Sequence, residues 1–154
     1  DIARRTIRNR GLTRFIAVCL LSGYMWLAVG GSIILVAGGL SPGTPSYDAA
    51  VHALALGFVF SMVFGHAPII FPAVLRVAVP YNPSFYVPLA LLHVSLAVRL
   101  AGDATGHYPW TRVGALLNAL ALAAFIVSTV TAVVRGKRSA SVREPPVDAR
   151  PDGL

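Results

Sequence analysis

Ser46-Tyr-Asp-Ala-Ala-Val-His-Ala-Leu-Ala-Leu-Gly-Phe-Val-Phe-Ser-Met-Val-Phe-Gly-His-Ala-Pro68 is the stretch that decides the fold. It is almost wholly apolar, yet it carries His52 and His66 fourteen residues apart. As continuous α-helix, fourteen residues rise about 21 Å and complete nearly four turns, which predicts both imidazoles on one face. One would then lie near each edge of a bilayer whose hydrocarbon core is about 30 Å thick. Ionisable side chains are costly inside a membrane and usually functional there, so this pair calls for a chemical role.

The rest of the chain agrees with a membrane setting. Of 154 residues, 56% are hydrophobic and only 12% charged, with a mean hydropathy of +0.71. A soluble domain carries about 25% charged residues, so too little polar surface exists here to enclose a water-soluble core. The net charge of +7 does not point to nucleic acid. Arg4, Arg5, Arg8, Arg10 and Arg14 precede the first apolar run, and Arg135, Lys137, Arg138 and Arg143 follow the last. Basic residues gathered at span ends mark cytoplasmic flanks and anionic headgroups.

Four apolar segments predict an all-α, integral membrane four-helix bundle, with spans at about 15–40, 48–71, 84–101 and 110–134. A basic N-terminal segment, 1–14, precedes them, and a polar, Pro-rich tail, 136–154, follows and is expected to be disordered alone. The first run is longer than a signal-peptide core and is read as a true span. The loops at 41–47 and 102–109 lack Lys and Arg, whereas Arg76 lies in the connection between the second and third spans. Both termini are therefore expected in the cytoplasm, the membrane being the inner membrane of a bacterium. No internal repeat is evident.

Haem ligation is the chemistry the histidines fit best. A low-spin b-type haem takes two axial imidazoles. His52 and His66 each need a partner, and His93, in the third span, is the other intramembrane histidine. Two arrangements are open: a symmetric dimer pairing each histidine with its own copy, or one haem with His93 as second ligand. Arg99, near the end of the third span, offers a bidentate fork for a propionate, with Asp48 and Asp103 as competing partners. Gly57 could admit the edge of a macrocycle or a neighbouring helix. Cys19 is alone, so no internal disulfide forms, and no Cys-x-x-Cys-His run exists to attach haem covalently. The phosphate loops, Ser–His–Asp sets and paired intramembrane carboxylates that would mark an enzyme or a pump are missing from the sequence. Catalysis by this chain alone is not expected.

The run His52-Ala-Leu-Ala-Leu-Gly-Phe-Val-Phe-Ser-Met-Val-Phe-Gly-His-Ala67, with Arg99 ending the next span, resembles the NnrS family of haem-containing membrane proteins linked to nitric oxide stress. The same stretch is similar to the second helix of haem–copper oxidase subunit I, where a histidine ligates the low-spin haem and a Met and a Pro-broken loop follow, as Met62, Pro68 and Pro72 do here. The likeness covers about residues 48–135 and implies a haem-bearing portion of such an architecture, with His52 as ligand. Both families have more than four spans, and the histidine cluster that binds copper in the oxidases is missing, so no copper site is implied.

Three functions follow. The first is a b-haem protein that passes electrons, with quinone or a partner subunit at one end, or responds to a diatomic gas such as nitric oxide. The second is a structural subunit of a respiratory or photosynthetic complex, and the third a small dimeric transporter using Arg99 and His52.

Overall fold

The computed structural model describes residues 11–76 and 81–143, with side chains placed for all of these except Leu75 and 137–143. Helix α1 is Leu12–Ala37. Helix α2 is one continuous rod over residues 45–75, α-helical at Pro45–His52, π-helical at Ala53–Val59 and α-helical again at Phe60–Leu75. A 3-10 turn, Pro83–Phe85, leads into α3, Tyr86–Thr105, and α4 is Tyr108–Arg143. All four rods are long and apolar enough to cross a bilayer. The chain is an integral membrane four-helix bundle.

Local chemistry sets the ends of the helices. The Thr44 hydroxyl accepts the Tyr47 N–H and Pro45 occupies the first turn, so α2 begins three residues ahead of the expected 48. Gly38, at φ 71°, closes α1 in the left-handed conformation and caps the carbonyls of Ile34 and Leu35, three residues before the apolar run gives out. Pro68 and Pro72 lie inside α2, which nonetheless continues to Leu75 before Arg76 ends it at φ 52°. At the far end α4 runs on to Arg143, so the first eight residues of the expected tail are helical. Of the expected basic segment 1–14, residues 12–14 already belong to α1, while residues 1–10, like residues 144–154, lie outside the described residues.

The helices run up-down-up-down. Leu54 meets Gly30 near the top of α1, and Cys19 meets Gly65 near its base, so α1 and α2 are antiparallel. Helices α1 and α3 run the same way: Phe15 packs edge-on against Tyr86 at 5.1 Å, and further up Trp26 reaches His93. Helices α3 and α4 approach most closely. A Cβ on Gly114 would stand 2.6 Å from the backbone N of Arg99, so only glycine allows this spacing. At the basal end Phe64 of α2 stacks on Phe125 of α4 with centroids 3.7 Å apart. Phe15, Cys19, Phe64, Phe85, Leu89 and Leu92 form the core of that half. The outer surface is apolar, with Leu35, Val36, Val87 and Val127 widely exposed, as lipid contact requires.

The π-helical segment overturns one expectation. A π-turn holds an extra residue without completing more rotation. That removes about 100° and turns the expected offset of about 40° between His52 and His66 into about 140°. The two histidines therefore do not share a face: His52 is half-buried, and His66 is exposed on the bundle surface.

Candidate functional site

Asp48, Arg99 and Asp103 gather at the end of the bundle where α2 begins and α3 ends. Asp48 stands one turn before His52 in α2, and Arg99 stands 51 residues away in sequence, near the end of α3. Arg99 donates to Asp48 Oδ2 through Nε at 3.2 Å and Nη2 at 2.8 Å. The other carboxylate oxygen, Oδ1, lies 3.4 Å from His52 Nδ1. The same Nδ1 is 2.7 Å from the Asp48 carbonyl oxygen. A carbonyl only accepts, so Nδ1 carries the proton. In the neutral ring this tautomer leaves a lone pair on Nε2, the orientation that metal-bound imidazoles take when their other nitrogen donates to a carbonyl or carboxylate.

Asp48 thus links Arg99 to His52. The Arg99 side chain is 14% exposed and that of Asp48 38%, so the pair is partly withdrawn from water. Asp103, one turn beyond Arg99 on α3, accepts from the Thr111 hydroxyl at 3.0 Å. Asp48, Arg99, Asp103, Tyr108 and Thr111 line an open cavity of about 600 Å³ at this end.

His66 repeats the backbone part of the pattern. Its Nδ1 donates to the Met62 carbonyl at 2.7 Å, leaving Nε2 free to accept or ligate, but on a different and exposed face. His93 is built differently. Trp26 Nε1–H donates to His93 Nδ1 at 2.9 Å, so Nδ1 is the acceptor and Nε2 bears the hydrogen. Nε2 is buried and has no partner among the described residues. A protonated Nε2 cannot ligate iron, and in this arrangement His93 does not present a lone pair.

Two expected roles are taken by the protein itself. Arg99, the fork expected at a propionate, grips Asp48. Gly57, open to a macrocycle edge or a neighbouring helix, meets the helix: Trp26 of α1 covers it, its Cβ 2.5 Å from a Cβ built on that glycine. The indole fills this space within the π-helical segment and reaches on to His93 from there. A second polar contact crosses the core nearby, where the Ser95 hydroxyl, also bonded to the Leu92 carbonyl of its own helix, hydrogen-bonds Asn118 of α4. Sequence reasoning did not bring Trp26 to His93. The Asp48–His52 pair was visible in principle as an i, i+4 spacing.

These features define a four-span membrane protein with a charged cluster anchoring one histidine at the mouth of the bundle. The chain belongs to the family described as a domain of unknown function, DUF8744, whose model matches residues 1–134. No curated protein and no solved structure matches it.

Proposed function

We propose that the chain is a b-haem-binding membrane protein in which His52 supplies one axial imidazole, serving electron transfer or response to a diatomic gas such as nitric oxide. The observation that carries this reading is the bonding of His52: Nδ1–H donates to the Asp48 carbonyl, its carboxylate is beside it, and the Nε2 lone pair is left available. The residues fit a haem in that respect. A bound haem supplies a one-electron iron couple, or a site for a diatomic ligand, tuned by axial ligand and burial. Asp48, held by Arg99, orients the ring and fixes its tautomer. Since His93 accepts from Trp26 and His66 faces elsewhere, the second axial ligand comes from another subunit or a second copy of this chain. Arg14, Arg76 and Arg135 lie at the end opposite His52, which supports cytoplasmic termini and an outward-facing site in a bacterial inner membrane.

A dithionite-reduced minus oxidised spectrum of the purified protein tests this, with His52→Ala and His66→Ala beside it. A sharp b-type α-band that survives His66→Ala and vanishes in a folded His52→Ala is the expected result. A flat spectrum from folded protein purified from haem-replete cells refutes it. The second reading, a cofactor-free accessory subunit, is favoured by the Asp48–Arg99 pair, which is satisfied within the chain and needs no propionate.

A further inference from the structure

His66 interrupts a face of α2 that is otherwise aliphatic. Val59, Val63, His66, Ile70 and Ala73 are all exposed, and they follow one another at steps of four, three, four and three residues. That alternation is the a/d seam along which two helices pack. The seam lies at membrane depth: His66 stands ten residues, about 15 Å, along the helix from Arg76, and its neighbour Gly65 meets Cys19 of α1. Ionisable side chains at such depth almost always face protein or a water-filled cavity. His66 instead faces outward, where lipid offers no hydrogen bond. Its Nδ1–H is spent on the Met62 carbonyl at 2.7 Å, so Nε2 presents a lone pair to whatever covers this face.

We propose that a second copy of this chain packs along the seam and that the two His66 Nε2 atoms hold one first-row transition metal ion between them. Symmetry and tautomer together select this occupant. Two copies inserted with the same topology are related by a two-fold axis along the membrane normal, so every residue keeps its depth and one on the axis meets itself. The two Nε2 lone pairs then face each other. Two acceptors cannot hydrogen-bond, but a metal cation between them bonds both, and imidazole suits zinc, copper, nickel and iron. One copy does not supply such a site, since no group of three His, Cys, Asp or Glu that could hold a metal occurs among the described residues. Residues 59–73 contain no Asp or Glu, which disfavours calcium and magnesium. Val63 and Ile70, β-branched at the a positions, favour a two-stranded seam. A bare ion lets these flanking side chains meet, whereas a porphyrin would prop the seam open. The site is independent of the haem reading, because His52 lies on another face of α2.

The test uses the untagged full chain in neutral detergent, with sedimentation velocity reporting the dimer fraction in EDTA, in Zn2+, and in Cu+ kept reduced by ascorbate. Three variants accompany it, each checked for helicity by far-UV circular dichroism. His66→Leu removes the ligand, Ile70→Trp puts bulk into the seam, and Val87→Trp puts the same bulk on the exposed face of α3. Zn2+ or Cu+ is expected to tighten dimerisation about tenfold or more over EDTA. His66→Leu should abolish that gain, Ile70→Trp should weaken dimerisation, and Val87→Trp should match the unaltered chain. A response to one ion alone supports the proposal and names the metal. A dimer fraction unchanged by either ion, a metal-dependent gain that survives His66→Leu, or dimers as sensitive to Val87→Trp as to Ile70→Trp overturns it.

Discussion

The link between Asp48 and Arg99 ties two helices whose contact residues lie 51 positions apart, and a double-mutant cycle measures it directly. Asp48→Asn keeps the shape and removes the charge; Arg99→Met keeps most of the aliphatic stem and removes the donors. Exposed ion pairs contribute about 0.2–1 kcal/mol, whereas removing one member of a fully buried pair costs about 3–5 kcal/mol. With side chains 14% and 38% exposed, this pair falls between those limits. Two donors converge on one carboxylate oxygen at 2.8 and 3.2 Å, so both bonds are lost together. Each single variant is therefore expected to destabilise the bundle by about 1–2 kcal/mol, with a coupling of about 1 kcal/mol. Unfolding by SDS in mixed micelles, followed by far-UV circular dichroism, gives the four free energies required. Raising ionic strength should leave most of the coupling in place, because partly buried pairs are weakly screened. Additivity of the two single variants within about 0.3 kcal/mol would refute the reasoning.

Three other outcomes follow from the packing. Trp26→Phe strips His93 Nδ1 of its donor and should cost about 1–3 kcal/mol in the same assay, the penalty for a buried polar group left unpaired; a change below about 0.3 kcal/mol would mean the bond contributes nothing. Gly114→Val drives side-chain carbons into the Arg99 backbone, which cannot move aside as a side chain can, so a loss of about 3 kcal/mol or failure to yield monodisperse protein on gel filtration is expected. Cys19 is 0% exposed, so a maleimide probe should leave it unlabelled in folded protein and label it in SDS; rapid labelling before SDS addition would contradict the described contact between α1 and α2.

The bundle was legible in the sequence because lipid imposes so strong a constraint: each span must be apolar and about 20 residues long. Thr44, Gly38 and Gly106 then set the helix ends by capping and by left-handed backbone geometry, which hydropathy does not register. Pairings between spans were less accessible. Nothing in the neighbourhood of Arg99 says whether it holds Asp48, Asp103 or a ligand, since all three demand the same fork. His93 illustrates another limit, because the indole of Trp26 decides which ring nitrogen bears hydrogen and lies 67 residues away. The shared face predicted for His52 and His66 failed for a local reason. Helical periodicity presumes a constant pitch, and the segment Ala53–Val59, an ordinary run of Ala, Leu, Gly, Phe and Val, gives no compositional warning that the pitch changes.

The widened turn also gives α2 a natural place to gain or lose length. Removing one residue from 53–59 would restore α-helical pitch without disturbing the residues above it or the loop below. Relatives shorter by one position between His52 and Ser61 should therefore show their gap there, and those lacking the extra residue should carry a smaller side chain at the position of Trp26, since the space it fills would close. A length polymorphism confined to this turn would be the evolutionary signature of a helix whose two halves are indexed separately.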